Sequence, residues 1–150
     1  MNENLTIKEV SSDKRRFIDL LLIGDEQEDM VNRYLDECRL FIGFIGGEPA
    51  ACCAVLEEPG NIVEIKNLAV EARYRRRGIG RLMLRHVESL YRGTTIILGT
   101  GETPSTLRFY GNCGYRYSHT VRDFFTDHYD HPIVEEGVTL RDMVYLKKMV

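Results

Sequence analysis

The chain is 150 residues long, 43% hydrophobic and 29% charged, with a formal net charge of −3 at pH 7. That length suits one folded domain with a full apolar core, and the composition excludes a disordered chain. No apolar run approaches the ~20 residues that cross a bilayer, the N-terminus lacks the basic start and apolar core of a secretory signal, and the negative net charge argues against general nucleic-acid binding.

Leu5 to Val10 alternates apolar and polar residues and reads as a first strand. Ser11, Ser12 or Asp13 can cap a helix whose buried stripe takes in Phe17, Leu20 and Leu21, and Gly24 breaks it. Asp25 to Leu35 opens with acids suited to a helix N-terminus and continues with Met30, Val31, Tyr34 and Leu35, so a second helix is expected. Its acids either attract a cationic amine or simply solvate the helix start, and Tyr34 reads as core. Arg39 to Ile45 and Pro49 to Leu56 are strand-like runs separated by Gly46-Gly47, which predicts a hairpin. Pro59-Gly60-Asn61 then turns the chain into a strand from Ile62 to Val70, completing an antiparallel meander.

The stretch from Asn67 to Tyr91 carries the strongest signal. A short apolar run gives way to an arginine-rich turn containing Gly78 and Gly80, followed by Ile79, Leu82, Met83, Val87, Leu90 and Tyr91 at helical spacing. A helix therefore starts near Arg77 or Gly78. Arg73, Arg75, Arg76, Arg77 and Arg81 crowd its N-terminus, where unpaired N–H groups already leave partial positive charge. Each cation there is disfavoured by up to about 1 kcal/mol. A bound anion resolves that conflict: amides and dipole attract it, arginines neutralise it, and the glycines let backbone approach. A phosphate or pyrophosphate fits best. A nucleotide-hydrolase P-loop is excluded by the missing Gly-x-x-x-x-Gly-Lys-Ser/Thr, and a dinucleotide fold by the missing third glycine and acidic ribose partner.

The helix crosses over to a strand at Thr94 to Thr100, which should run parallel to the Ile62 to Val70 strand. Thr103 and Pro104 mark the cap and first position of another helix, which Gly111 to Gly114 ends. Tyr115 to Val121 alternates as a strand, and Arg141 to Lys148 closes the sheet. Between them, residues 122 to 139 give no periodic signal. Asp127-His-Tyr-Asp-His-Pro132 concentrates metal-ligand types but reads as a polar loop, or as a flap over an acceptor site; no metal is expected. Cys38, Cys52, Cys53 and Cys113 have no CxxC spacing, with Cys52 and Cys53 on opposite strand faces. All four read as reduced thiols in a cytoplasmic protein.

Arg75-Arg-Arg-Gly78-Ile-Gly80 resembles the Arg/Gln-x-x-Gly-x-Gly/Ala signature of the GNAT superfamily of N-acetyltransferases, which binds the pyrophosphate of acetyl-CoA. Leu68-Ala-Val70 is similar to the family's fourth strand, and Phe109-Tyr-Gly-Asn-Cys-Gly-Tyr115 to its Phe-Tyr-x-x-x-Gly-Phe segment, so the likeness spans roughly residues 62 to 116. It implies an α/β fold of the α+β type over residues 1–150: a mixed, mostly antiparallel sheet of about six to seven strands flanked by about four helices, with the fourth and fifth strands a splayed parallel pair. It implies acetyl-CoA as cosubstrate, an amine as acceptor, and a helix–loop–helix region bordering the acceptor. A homodimer is common in such families.

The resemblance also assigns roles. Arg75, Arg76, Arg77, Gly78, Ile79, Gly80 and Arg81 would hold the diphosphate, and backbone at Leu68, Ala69 and Val70 the pantetheine arm. Thr103 stands where relatives carry an asparagine near the cofactor. Tyr110 matches the tyrosine that protonates the departing thiolate, the Leu68 N–H the donor to the thioester carbonyl, and Glu64 the glutamate that acts as base in some members. A lysine-like amine with a pKa near 10.4 is about one part in 10³ neutral at pH 7, so a proton acceptor helps. Glu64 can equally be a carboxylate paired with Lys66. Absent an activated serine or cysteine, transfer should be direct. The alternative is a non-catalytic acyl-CoA sensor.

Overall fold

Ala50 to Val55 is an unbroken run with no exposed surface, and it forms the middle of strand β3 (Glu48–Glu58) in the computed structural model, which describes residues 4–150. A strand covered on both faces must be apolar at every position, and this one supports the whole sheet. Strands β1 (Leu5–Val10), β2 (Arg39–Ile45), β3 and β4 (Ile62–Val70) form the expected antiparallel meander. Gly46 and Gly47 both take positive φ in the turn joining β2 to β3, as a tight hairpin requires. Strand β5 (Thr95–Gly101) returns parallel to β4, while β9 (Met143–Met149) is inserted between β5 and β6 (Arg116–Val121). The sheet has seven strands in the order β1-β2-β3-β4-β5-β9-β6.

Helix α3 (Ile79–Leu90) makes the crossover and buries Ile79, Met83, Leu84 and Val87 against Phe41, Val63, Ile65, Ile96 and Leu98. At about 1.5–3 kcal/mol for each buried aliphatic side chain, this packing outweighs the roughly 1 kcal/mol that a glycine costs within a helix. Helix α4 (Pro104–Asn112) covers the same face through Tyr110. On the opposite face, α1 (Ile18–Gly24) and α2 (Glu28–Asn32) bury Leu20, Leu21 and Val31 against Leu40, Ile42, Cys52 and Ala54. Cys52 and Cys53 thus do point to opposite faces, and both are free.

Three expectations change. The helix expected over 25 to 35 is only the five residues of α2 followed by a 3-10 turn at Leu35–Glu37, because tighter bonds take over after Asn32, from the Arg33 N–H to the Met30 carbonyl and from the Tyr34 N–H to the Val31 carbonyl. The first helix opens as a 3-10 turn at Lys14–Phe17, and left-handed Asp13 makes no side-chain cap. Thr103 likewise makes no side-chain cap, although Pro104 does take the first turn of α4. The segment without periodic signal forms α5 (Phe124–His128) and a hairpin of β7 (Val134–Glu135) and β8 (Val138–Thr139). Phe125, Ile133 and Leu140 give it a small core of its own.

One irregularity positions everything that follows. β4 pairs with β5 only from Ile62↔Thr95 to Ile65↔Leu98, although both strands continue. At the same level the β3–β4 register slips, with Ala54 opposite Asn67 and Val55 opposite Ile65, leaving Lys66 as an extra residue. Such a bulge bends its strand, and β4 swings away from β5.

Candidate active site between the parting strands

Where the strands part, a cavity of about 750 Å³ opens. Its middle is walled by Leu68, Ala69 and Val70 on one side and by Gly99, Thr100 and Gly101 on the other, with Phe109 and Tyr110 from α4 alongside. The two strands present backbone groups that no longer serve each other there.

At one end stands the arginine turn. Gly78 precedes α3 with φ of 76°, a left-handed conformation natural to glycine, and a Cβ placed on it would meet nothing within 4 Å. The space over the turn is therefore open. The amides of Ile79, Gly80 and Arg81 are the first of the helix and lack carbonyl partners within it. Gly80 lets α3 pack closely on α4: a Cβ there would come to 3.1 Å from the Phe109 ring. Arg75, Arg76 and Arg81 line the cavity. The Arg75 Nε donates to the Val70 carbonyl at 3.1 Å and the Arg81 Nη2 to the Asn112 carbonyl at 3.2 Å, which orients both side chains. The guanidinium groups of Arg73 and Arg77 lie over the Tyr74 ring, at 4.8 and 5.7 Å from its centroid.

The other end is built by side chains from distant segments. Ile23 and Gly24 at the end of α1 and Asp25 just after it line the cavity together with Phe125 of α5 and Tyr129 just after α5. The Asp25 carboxylate accepts hydrogen bonds from the Tyr129 hydroxyl at 2.6 Å and the Tyr34 hydroxyl at 3.3 Å. Tyr34 in turn accepts one from Asn67 Nδ2 at 3.1 Å, and the same nitrogen donates to the Leu21 carbonyl at 2.8 Å. Burial raises the Asp25 carboxyl above its ordinary value, with the Tyr129 hydroxyl, the Gln27 backbone N–H, the Tyr34 hydroxyl and the nearby Lys66 charge pulling the other way.

Leu68, Ala69, Val70, Arg75, Arg76, Gly78, Ile79, Gly80, Arg81 and Tyr110 all line this one cavity; Glu64, Arg77 and Thr103 do not. Thr103 is fully buried. Glu64 is buried on β4, where it accepts from Lys66 Nζ at 3.2 Å and from the Tyr145 hydroxyl at 3.3 Å. Tyr110 is nearly enclosed, edge-on to Phe109 and Tyr115, and burial raises its phenol further above the ordinary value, holding it protonated. Burial also pushes the Cys38 and Cys52 thiols up to about 12. Sequence reasoning did not find Asn67, Phe125 or Tyr129. The Asp25 and Tyr129 partnership joins residues 104 apart in the chain and carries no local signal.

A parallel pair that opens onto an arginine-lined helix N-terminus at one end and a carboxylate among aromatics at the other defines a class, the acyltransferases that draw on acyl-CoA. The chain belongs to the acetyltransferase (GNAT) family, whose profile matches residues 8–115, and is an acetyl-CoA-dependent acyltransferase. An uncharacterized N-acetyltransferase of Bacillus subtilis, YvbK, is 36% identical over 132 residues, 85% of each chain. A Bacillus subtilis acetyltransferase solved in complex with CoA superposes with a TM-score of 0.86 at 31% identity, over 98% of this chain and 99% of that one. A GNAT family acetyltransferase from Elizabethkingia anophelis, solved with acetyl-CoA bound, gives 0.90 at 28% identity over 99% and 100%. Among the described residues no helix is long and apolar enough to cross a membrane, and no three metal-ligating side chains cluster.

Proposed function

We propose that this protein transfers the acetyl group of acetyl-CoA directly to the nitrogen of a primary amine, whether on a small molecule, a peptide N-terminus or a lysine. The observation that carries the reading is the parting of β4 and β5 after Ile65 and Leu98, which joins the arginine turn to the Asp25 pocket in one cavity. An extended cosubstrate can enter at one end and an amine at the other, meeting beside Tyr110. The Bacillus subtilis relative solved with CoA and the Elizabethkingia anophelis relative solved with acetyl-CoA support acetyl-CoA as the cosubstrate.

Bound acetyl-CoA supplies an activated thioester, and the chain's own groups do the rest. The amides of Ile79, Gly80 and Arg81 hold the diphosphate, with Arg75, Arg76 and Arg81 compensating its charge. Backbone at Leu68, Ala69 and Val70 aligns the pantetheine arm. The Leu68 N–H donates to the carbonyl oxygen as negative charge gathers on it. Tyr110, protonated at pH 7, donates to the sulfur as the C–S bond breaks. The buried cysteines are held as thiols, which favours direct attack over an acyl-enzyme.

Incubation with acetyl-CoA and a panel of spermidine, glucosamine, lysine and an alanine-terminated peptide tests this, with free thiol release and product mass as readouts. At least one N-acetylated product is expected. Thiol release without any acylated amine, or none at all from a protein that retains CoA, would overturn the reading.

A further inference from the structure

The acceptor end holds a carboxylate that the family signature does not assign. Asp25 follows Gly24 at the end of α1, lines the cavity, and is fixed from two sides by Tyr129 and Tyr34. The Tyr129 hydroxyl donates to Oδ1 and the Tyr34 hydroxyl to Oδ2, and the Gln27 backbone N–H also bonds the carboxylate, so its oxygens are oriented while one lone pair remains for a further donor. The segments that hold it are themselves anchored: Tyr34 accepts from Asn67 on β4, and the Asp130 N–H donates to Gln27 Oε1 at 3.0 Å, tying the α5 side to the start of α2. Gly24 is closed against Asn67, since a Cβ there would fall 2.2 Å from its Oδ1. An amine entering between Ile23, Phe125 and Tyr129 meets apolar walls and the Asp25 carboxylate, which two hydroxyls hold in place, while Glu135 of β7 also lines the cavity.

We infer that Asp25 is the catalytic proton acceptor of this transferase, binding the acceptor's ammonium group and removing the proton that blocks its lone pair. The inference rests on the amine-acetylation reading above. In the step itself, R-NH3+ gives one proton to the Asp25 carboxylate and becomes R-NH2. Its lone pair forms the N–C bond to the thioester carbonyl, and the C–S bond breaks with its electron pair on sulfur. Tyr110 gives its proton to the sulfur, forming CoA thiol, and is restored by the second nitrogen proton, while the Asp25 proton passes to solvent after the amide departs. Charge balances, with R-NH3+ and acetyl-CoA giving the amide, CoASH and H+.

The groups around Asp25 suit this task. Burial keeps its carboxyl more basic than an exposed aspartate, which favours taking a proton from a donor with a pKa near that of lysine, about 10.4. Lys66 faces it from β4, but its ammonium is paired with Glu64 at 3.2 Å and lies 5.7 Å from the Tyr34 ring centroid. Tyr34 and Tyr129 are pushed to higher pKa by the same burial and stay protonated as donors. Glu64 lies outside the cavity lining, and Lys66 and Tyr145 both donate to its Oε2.

The test compares two probe amines with Asp25→Asn: n-butylamine, which is an ammonium at pH 7, and trifluoroethylamine, whose nitrogen is already neutral there. For n-butylamine kcat/KM should fall on the order of 10²-fold, within the range for loss of a general base. For trifluoroethylamine the loss should stay within a few-fold, with unchanged CoA affinity by calorimetry and an unchanged melting temperature. Tyr129→Phe removes a donor to the carboxylate and should move the acid limb of the wild-type pH profile upward. Equal losses on both amines, an unaltered rate, or an unmoved acid limb would each overturn the assignment. If the wild type retains CoA and acetylates amines of the broader panel but neither probe, Asp25 does not serve simple primary amines and the inference falls while the proposed function stands.

Discussion

The two ends of the cavity are built in opposite ways. The arginine end comes from one contiguous segment, Val70 to Arg81, and works mainly through backbone: a left-handed Gly78, the first amides of α3, and guanidinium groups tethered to nearby carbonyls. The acceptor end joins Asp25, Tyr34, Asn67 and Tyr129 from four separate segments, entirely through side chains. A backbone site recognises what every acetyl-CoA has in common and is tolerant of side-chain drift. A side-chain site selects, and each of its members can change without disturbing the turn that we propose holds the cosubstrate. One half is thus fixed by chemistry common to the reaction, the other free to set the acceptor.

The most severe break in this division should come at the join. Tyr110 stands between the ends, enclosed by Phe109 and Tyr115. Tyr110→Phe keeps the packing and removes only the hydroxyl, so kcat should fall on the order of 10²-fold while CoA affinity by calorimetry stays within twofold. A wild-type rate in stopped-flow thiol release would remove Tyr110 from the chemistry. Next in size, a double change of Arg76→Ala and Arg81→Ala should weaken CoA roughly tenfold, about the loss of one charge-assisted hydrogen bond. The remaining affinity should depend less on salt, and the acceptor KM should not move. A matching rise in acceptor KM would mean that the two ends are not separable.

How much of this was legible in the sequence follows the same division. The turn at Gly78 was readable because its constraint is local: five arginines cannot crowd a helix N-terminus without a reason, and Gly78 and Gly80 mark where backbone must be bare. The meander, the crossover and all seven sheet strands were legible because burial writes alternation, a 3.6-residue period or, in β3, an unbroken apolar run between turn signals into consecutive residues. The splay was known only through resemblance, since a single extra residue at Lys66 leaves the apolar alternation almost intact. The acceptor wall was not legible. α5 and its hairpin are only five and four residues of regular structure, too short for a period, and Tyr129 meets Asp25 only after the sheet has formed.

A smaller effect sharpens the contrast from the acceptor side. Gly24→Ala places a methyl at 2.2 Å from Asn67 Oδ1, inside a network where that side chain also bonds Leu21 and Tyr34. Accommodating it should cost about 1–3 kcal/mol of stability, the usual range for overpacking, read as a lowered urea midpoint with unchanged m-value. Because Asn67 supports Tyr34 and so Asp25, the acceptor KM should rise a few-fold while CoA affinity holds. An unchanged acceptor KM would show the Asp25 pocket to be insulated from α1.

The smallest expected effect separates the carboxylate that the family resemblance selects from the one the cavity selects. Glu64 sits beside Glu58, whose carboxyl is pushed up to about 7, first by its hydrogen bond to Glu64 and then by burial. Because that folded value lies above the ordinary 4.5, the folded state binds the proton more tightly than the unfolded chain. Its contribution is complete below about 4.5 and is lost as pH rises through 7. Partial exposure of Glu58 holds the effect under about 1 kcal/mol. Glu64→Gln removes the neighbouring negative charge, so the slight fall in melting temperature between pH 5 and 8 should flatten, and turnover should stay within about twofold, since proton removal belongs to Asp25. A collapse of turnover with the melting profile unchanged would return the base to β4 and leave the side-chain end of the cavity to binding alone.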